Sequence, residues 1–108
     1  MSNFAKQGYI YVIAEKTSSN GFTGYYKVGQ TDDLDGRLSE LQAENRNKIE
    51  YWEHYKVTNM DTAEQAVHQA VRRKYGSDKQ EWYSVPLGHK DDFITLIRLF
   101  LRDHVTMQ

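Results

Sequence analysis

Hydrophobic and polar positions follow two periods along this chain, and the shorter period predicts strands in three places. Residues 8–14 form a nearly continuous apolar, β-prone run, as expected of a strand covered on both faces. A polar stretch then leads into a second β-prone segment at 25–29, which predicts the antiparallel return of a wide hairpin. Residues 49–57 alternate apolar and polar side chains, the pattern of a half-buried strand.

Helical spacing occurs in three other stretches. Cap candidates and acids at 31–33 precede a leucine stripe that predicts a first helix of roughly three turns. Cap candidates at 59–62 begin a second helix that ends near Gly76, and 91–102 predicts a third. The apolar positions are Leu34, Leu38 and Leu41 in the first helix, Ala63, Ala66, Val67, Ala70 and Val71 in the second, and Phe93, Ile94, Ile97, Phe100 and Leu101 in the third. A short extended segment at 81–85 precedes the last helix.

The order of these elements, β-β-α-β-α-β-α, predicts an α+β fold in which helices pack on a mainly antiparallel sheet. The chain has 108 residues, the length of one domain, and no repeat or linker divides it. We therefore expect a single domain over residues 1–108.

Composition and charge narrow the functional classes. The absence of cysteine excludes disulfides, thiolate zinc sites and cysteine nucleophiles. No apolar run approaches the roughly 18 residues of a membrane span and no signal-peptide layout is present, so we expect a cytoplasmic protein without membrane contact. The formal net charge of −1 gives no support for strong nonspecific nucleic-acid binding. Any phosphate-binding surface is therefore expected to be local, at Lys27 with Arg37, at 46–48 or at 72–74.

Two helices place charged side chains at the margins of their apolar faces. Glu64, His68 and Arg72 are spaced at i, i+4 and i+8, so they share one stripe of the second helix. Arg37 takes the same kind of position beside the leucines of the first helix. Structural interpretations exist for both: an ordinary helical pair of Glu64 with His68, and an arginine whose stem covers Leu38.

Several short motifs occur in a fixed order. YIYVI is followed by YYKVGQT, Arg37 comes eight residues after Gly29, and a glutamate lies on the next long helix. This order resembles the GIY-YIG nuclease superfamily, specifically a phage-associated branch with three features. They are a Lys-Ile-Gly second signature, a Glu-x-x-x-His pair on the later helix and a Glu-Trp-Phe-like tripeptide. The corresponding residues here are Lys27-Val28-Gly29, Glu64 with His68, and Glu81-Trp82-Tyr83.

The resemblance implies a three-stranded antiparallel sheet flanked by helices, with a shallow active site on the sheet face. It also implies metal-dependent hydrolysis of DNA phosphodiester bonds, in the host cytoplasm if a phage encodes the chain. By position, Tyr11 matches the first-signature tyrosine, Arg37 the arginine of the following helix, and Glu64 the acidic metal ligand. Lys27 falls where the better-known branch has a second tyrosine.

The chain departs from the family pattern at several positions. Gly8 is displaced by one residue from the first signature, and Leu41 occupies the place of a histidine found in several family nucleases. The asparagine that often completes the site has no clear equivalent, unless the segment near Glu81 serves. We otherwise expect Glu81 to be a cap or a supporting partner. Trp82 and Tyr83 are expected in the core, with stacking on a nucleobase as the alternative.

Phosphodiester hydrolysis needs an activated water, stabilised negative charge and help for the leaving oxygen. On this resemblance, Tyr11 orients or deprotonates the water while Lys27 favours its ionisation, and His68 is the alternative proton acceptor. Arg37 suits the phosphate in its transition state, because it can offer two parallel donors. Glu64 suits a Mg²⁺ or Mn²⁺ ion.

Alternatives to a DNA endonuclease stay open at this point. One is a catalytically inactive module that keeps the fold and binds nucleic acid or a protein partner, which the near-neutral charge and Leu41 favour. Another is RNA as the substrate, which no motif distinguishes from DNA. Leu96 and Leu99 lie off the main apolar stripe of the last helix, so we expect a monomer or a weak homodimer.

Overall fold

Across the described residues, the helices and strands follow one another in the order that the sequence predicts. The computed structural model describes residues 7–76, 81–86 and 88–102. The elements are β1 (Gly8–Lys16), β2 (Phe22–Thr31), α1 (Leu34–Glu44), β3 (Ile49–Val57), α2 (Met60–Tyr75), β4 (Trp82–Ser84) and α3 (Lys90–Leu101). The predicted α+β class is confirmed.

The strands form one antiparallel sheet in the order β3-β1-β2-β4. Tyr11 in β1 pairs with Gly29 of β2 on one side and with His54 of β3 on the other. The expectation of three strands is corrected to four, because β4 adds to the edge of β2. Just before β4, the Glu81 carbonyl accepts a hydrogen bond from the Val28 N–H at 3.1 Å, which ties residue 81 to β2.

Two strand details differ from the sequence pattern. β1 and β2 extend until Lys16 pairs with Phe22, so the hairpin loop is shorter than the polar stretch suggested. In β3 a bulge at Trp52 interrupts the alternation. As a result Tyr51 packs with the α1 side of the sheet, whereas Trp52 and Tyr55 pack on the other side.

Each face of the sheet has its own hydrophobic core, because successive residues of β1 point to opposite sides. On one face, β1 and β2 pack against α2 and α3. The fully buried side chains of this larger cluster include Ile10, Val12, Val28, Val57, Val67, Val71, Phe93, Ile97 and Leu101. On the other face, Tyr11, Ile13 and Ile49 are buried beneath the half-buried leucines of α1. The candidate residues Tyr11 and Arg37 therefore belong to the smaller core.

The last helix buries a narrower stripe than its sequence predicts. Phe93, Ile97 and Leu101 are fully buried, but Phe100, expected in the core, is 42% exposed. Phe100 lies just beyond the edge of the buried stripe at 100° per residue, and the adjacent Leu99 is 54% exposed. In the described parts of the chain, no helix has both the length and the apolar character needed to cross a membrane.

Candidate functional site

Tyr11 lies flat across the neighbouring strand at the centre of the sheet. Its side chain is fully buried, and it occupies the space above its cross-strand partner Gly29. A Cβ atom at Gly29 would overlap the Tyr11 hydroxyl and ring. Glycine is therefore required here for a close approach, which lets the hydroxyl pass over β2 and reach Arg37.

Arg37 meets this hydroxyl from the first turn of α1. Asp33 caps the helix by accepting a hydrogen bond from the Gly36 N–H at 3.1 Å, and Arg37 follows one residue later. The Arg37 Nε donates to the Tyr11 hydroxyl at 3.3 Å, and its Nη1 donates to Glu40 at 3.3 Å. The Arg37 side chain is 37% exposed, more open than its position among leucines suggested.

Burial keeps Tyr11 neutral despite the neighbouring positive charge of Arg37. Burial raises the pKa of Tyr11 above its usual value, and the Arg37 hydrogen bond and charge only partly oppose that shift. The carboxylates of Glu81 and Glu64 raise the Tyr11 pKa further. Tyr11 is therefore a phenol at neutral pH, and both carboxylates lie close enough to act on it.

Glu64 and His68 form a second pair on α2. Asn59 caps this helix by accepting from the Thr62 N–H at 3.3 Å. The His68 Nε2 lies 3.3 Å from a Glu64 carboxylate oxygen, and its Nδ1 is hydrogen-bonded to the Tyr83 hydroxyl of β4. His68 is only 6% exposed. Both ring nitrogens of this buried imidazole are thus held.

Lys27 joins the α2 pair through Glu81. The Lys27 side chain is buried, its Nζ lies 3.3 Å from a Glu81 carboxylate oxygen, and it lies 6.0 Å from the centroid of the Trp82 ring. Glu81 has a positive φ of 73°, a left-handed conformation that few non-glycine residues adopt. This conformation occurs directly before β4, where the backbone of residue 81 is also bonded to β2.

Three ligand atoms of Glu64, His68 and Glu81 lie within 4.8 Å of one another, a spacing compatible with one metal ion. A cavity of about 150 Å³ opens beside them, lined by Glu64, Gln65, His68, Gln69, Arg72 and Glu81. A second, more polar cavity of about 420 Å³ lies in front of Arg37, lined by Gln30, Thr31, Asp32, Asp33, Gly36, Arg37 and Glu40. The donor set of two carboxylates and one imidazole fits a divalent cation.

A comparison with protein-family models matches residues 8–98 to the T5orf172 domain. The chain belongs to the T5orf172 domain family. This is a phage-associated, nuclease-like domain, and the matched range includes every candidate residue described above. None of the curated proteins and none of the solved structures matched the chain.

In this T5orf172 domain, the predicted site residues form two adjacent groups. Tyr11 and Arg37 are hydrogen-bonded to each other, Glu64 contacts His68, and Lys27 reaches the second pair by way of Glu81. Lys27 was expected to favour the ionisation of Tyr11; in the structure, the cation hydrogen-bonded to the Tyr11 hydroxyl is Arg37.

Sequence reasoning undervalued two residues of the T5orf172 domain. Glu81, expected as a cap or supporting partner, brings its carboxylate to the Glu64–His68 pair. Tyr83, expected in the core with base stacking as the alternative, is buried and also holds the His68 ring. The available signal was the missing asparagine of the family pattern, which already pointed to the segment near Glu81.

Proposed function

We propose that this protein is a metal-dependent endonuclease of the GIY-YIG type that hydrolyses DNA phosphodiester bonds. The observation that carries the proposal is the hydrogen bond between Tyr11 and Arg37 beside the carboxylates of Glu64 and Glu81. Together they offer an arginine for a phosphate, a phenol for a water, and anionic ligands for a cation. Membership of a nuclease-like family supports the same class of reaction.

Arg37 would bind the scissile phosphate. A guanidinium carries five N–H donors, more than its bonds to Tyr11 and Glu40 use. Its partial exposure at the mouth of the larger cavity leaves room for a phosphate oxygen. A fixed cation at that point stabilises the added negative charge of the transition state.

Tyr11 would orient the attacking water. Because burial raises the pKa of its phenol, the neutral hydroxyl is the form present near pH 7. A neutral hydroxyl both donates and accepts hydrogen bonds, so it can accept from Arg37 and still position a water. As a general base, Tyr11 would have to lose its proton during the reaction, and the positive charge of Arg37 favours that loss.

Glu64 would hold a Mg²⁺ or Mn²⁺ ion, with Lys27 and His68 supporting the same site. When bound, such an ion stabilises the leaving oxygen and the phosphate charge. Lys27 would keep the Glu81 carboxylate in place through their ion pair. Both cavities are open to solvent and the larger one is mainly polar, which suits one exposed segment of a polymer better than an enclosed small molecule.

Cleavage of DNA by matched variants tests the proposal. Purified wild-type protein is incubated with double-stranded DNA and an RNA of equal sequence, each with Mg²⁺, Mn²⁺ or a chelator. We expect metal-dependent DNA cleavage that falls by at least about 100-fold in Glu64→Gln and in Arg37→Met. The control variants Glu44→Gln and Arg102→Met change exposed charges outside the site and are expected to keep the wild-type rate.

Three outcomes would contradict the proposal. Equal cleavage by the wild type and all four variants would show a contaminating nuclease. Cleavage of RNA alone would change the substrate. Binding of nucleic acid without cleavage under any metal condition would favour the inactive binding module.

A further inference from the structure

Glu64, His68 and Glu81 bring ligand atoms to one place from two separate segments of the chain. Glu64 and His68 lie one turn apart on α2, and Glu81 reaches them from the residue before β4. We propose that these side chains form one three-ligand metal site, and that the imidazole of His68 makes the site prefer Mn²⁺ to Mg²⁺. This deepens the proposed function, which requires only Glu64 as a ligand.

The distance between the first two ligands fits coordination of a single ion. Bonds of about 2.0–2.2 Å to nitrogen and oxygen, at angles between octahedral and tetrahedral, place two ligand atoms roughly 3.0–3.5 Å apart. The His68 Nε2 lies 3.3 Å from the Glu64 oxygen, within that interval. The ligand atom of Glu81 lies within 4.8 Å of both, so a modest rotation of an exposed carboxylate completes the set.

Tyr83 can hold the His68 ring in the tautomer that a metal requires. Histidines that bind metals almost always use their second ring nitrogen in a hydrogen bond that fixes the ring. Here Nδ1 is bonded to the Tyr83 hydroxyl, and a hydroxyl both donates and accepts. The ring can therefore carry its proton on Nδ1 and free the lone pair of Nε2 without losing its partner.

Lys27 positions the third ligand and limits the negative charge of the site. Its Nζ lies 3.3 Å from one oxygen of Glu81, and a carboxylate has a second oxygen for a metal. Lys27 and Arg72, which lines the same cavity, offset the negative charge of the two carboxylates, which suits a cation held partly by waters and phosphate oxygens.

The nature of the ligands decides the choice of metal. Mg²⁺ prefers oxygen ligands and loses its waters reluctantly, whereas imidazole is a better ligand for transition-metal ions. Replacing one oxygen ligand by the buried nitrogen of His68 therefore favours Mn²⁺. A site built on Glu64 alone would show no such preference.

Pulsed electron paramagnetic resonance on bound Mn²⁺ tests the proposal without measuring catalysis. We expect the full chain to bind one Mn²⁺ ion at least about tenfold more tightly than Mg²⁺ in calorimetry, with nitrogen hyperfine modulation from a coordinated imidazole. In His68→Gln the nitrogen signal is expected to disappear. The same variant should lose at least about tenfold in Mn²⁺ affinity but less than about threefold in Mg²⁺ affinity. Tyr83→Phe is expected to weaken Mn²⁺ binding by roughly tenfold and keep the nitrogen signal.

A matched control removes the other histidines instead. The chain has four histidines, and a triple variant with His54→Gln, His89→Gln and His104→Gln leaves only His68. This triple variant should keep the full nitrogen signal. It tests the proposal even if His68→Gln fails to fold. His104 lies outside the described residues. Mn²⁺ bound without nitrogen modulation, or a signal lost in the triple variant, would overturn the proposal. If the three-ligand site failed in this way, DNA cleavage that depends on Glu64 would still support the proposed nuclease. Conversely, a nitrogen signal from bound Mn²⁺ without any cleavage would refute the nuclease but not the metal site.

Discussion

Tyr51 connects β3 to the start of α1 through a single hydroxyl. It donates to the Leu34 carbonyl at 2.6 Å, and its ring packs edge-on against Tyr11. Burial, with a smaller contribution from Tyr11, raises the pKa of Tyr51 to about 12. The smaller core therefore depends on a phenol that must stay protonated.

The raised pKa of Tyr51 makes the free energy of unfolding depend on pH. The pKa of Tyr51 is near 10 in the unfolded chain and about 12 in the folded protein, so the folded state holds more protons between these values. Its stabilising contribution is full below pH 10 and is lost as the pH rises through about 12. We expect Tyr51→Phe to be about 1 kcal/mol less stable than the wild type at pH 8, from the lost hydrogen bond. Because the pKa shift from 10 to about 12 outweighs that difference, the gap should close above pH 10 and reverse before pH 12.

Urea unfolding at successive pH values measures this difference. The raised pKa values of Tyr26 and Tyr75 act in the same direction and remain in both proteins, so they cancel in the comparison. Tyr11 contacts Tyr51, so the comparison reports the titration of the two phenols as a contacting pair. A constant gap between the two proteins from pH 8 to pH 12 would contradict the assignment.

At the level of single residues, sequence motifs pointed to Tyr11, Arg37, Glu64 and His68 as candidates because each has a fixed offset from a recognisable pattern. The structure brings these residues together in adjacent pairs. Glu81 was undervalued because its position depends on a left-handed backbone and on hydrogen bonding to β2. A glutamate in the sequence predicts neither feature, because glutamate rarely adopts a positive φ.

At the scale of elements, α2 and α1 contrast in how they are held. α2 has buried residues along its length, whereas α1 has no fully buried residue and contacts the sheet through half-buried leucines. Both begin with a side-chain cap, Asn59 for α2 and Asp33 for α1. Glu64 therefore lies on a helix with a large buried face, and Arg37 lies on a helix with a smaller one.

The cap of α2 can be tested by a pair of substitutions. Asn59→Ala removes the acceptor for the Thr62 N–H and is expected to lower the free energy of unfolding by about 1 kcal/mol. Asn59→Asp keeps an acceptor and places a negative charge at the helix N-terminus, so it should equal or exceed wild-type stability. Chemical unfolding at pH 7 provides the measurement. If both variants lost the same stability, the side-chain cap would not be the cause.

Helices and strands whose apolar residues recur at a regular spacing were predicted well, but the pairing of the strands was not. The bounds 49–57 of β3 coincide with the alternating segment, and α3 begins one residue before the predicted 91. The segment that became β4 was predicted as extended, but its addition to β2 was not, because only three residues of each strand pair across a large sequence separation. The bulge at Trp52 was missed for a related reason: its cause is the register with β1, not the composition of β3.

At the scale of the whole molecule, the two faces of the sheet differ in how much apolar surface they bury. Among the described residues, the face covered by α2 and α3 has the larger cluster, and the cluster on the face covered by α1 has three buried members, Tyr11, Ile13 and Ile49. Arg37 lies on the weaker face and Glu64 on the stronger one. The candidate site therefore joins two layers that bury unequal amounts of apolar surface.

Hydrogen exchange can resolve this difference. We expect the amides in the centre of α1 to exchange at least about tenfold faster than those in the centre of α2, because α1 can open without exposing the larger core. NMR measures the amide exchange rates of the two helices. Repeating the measurement at a second pH confirms that the rates report equilibrium opening. Equal protection of both helices would show instead that the molecule opens only as one unit.

The left-handed backbone at Glu81 has an evolutionary consequence. A non-glycine residue in this region costs of order 1–3 kcal/mol; glycine would relax the bend, but it would also remove the carboxylate that pairs with the buried Lys27. The same replacement would delete the carboxylate that faces Glu64 and His68. Backbone strain and the need for a carboxylate thus favour different amino acids at this one position, and glycine is expected at 81 only in lineages that have also lost the lysine at 27 and the candidate site.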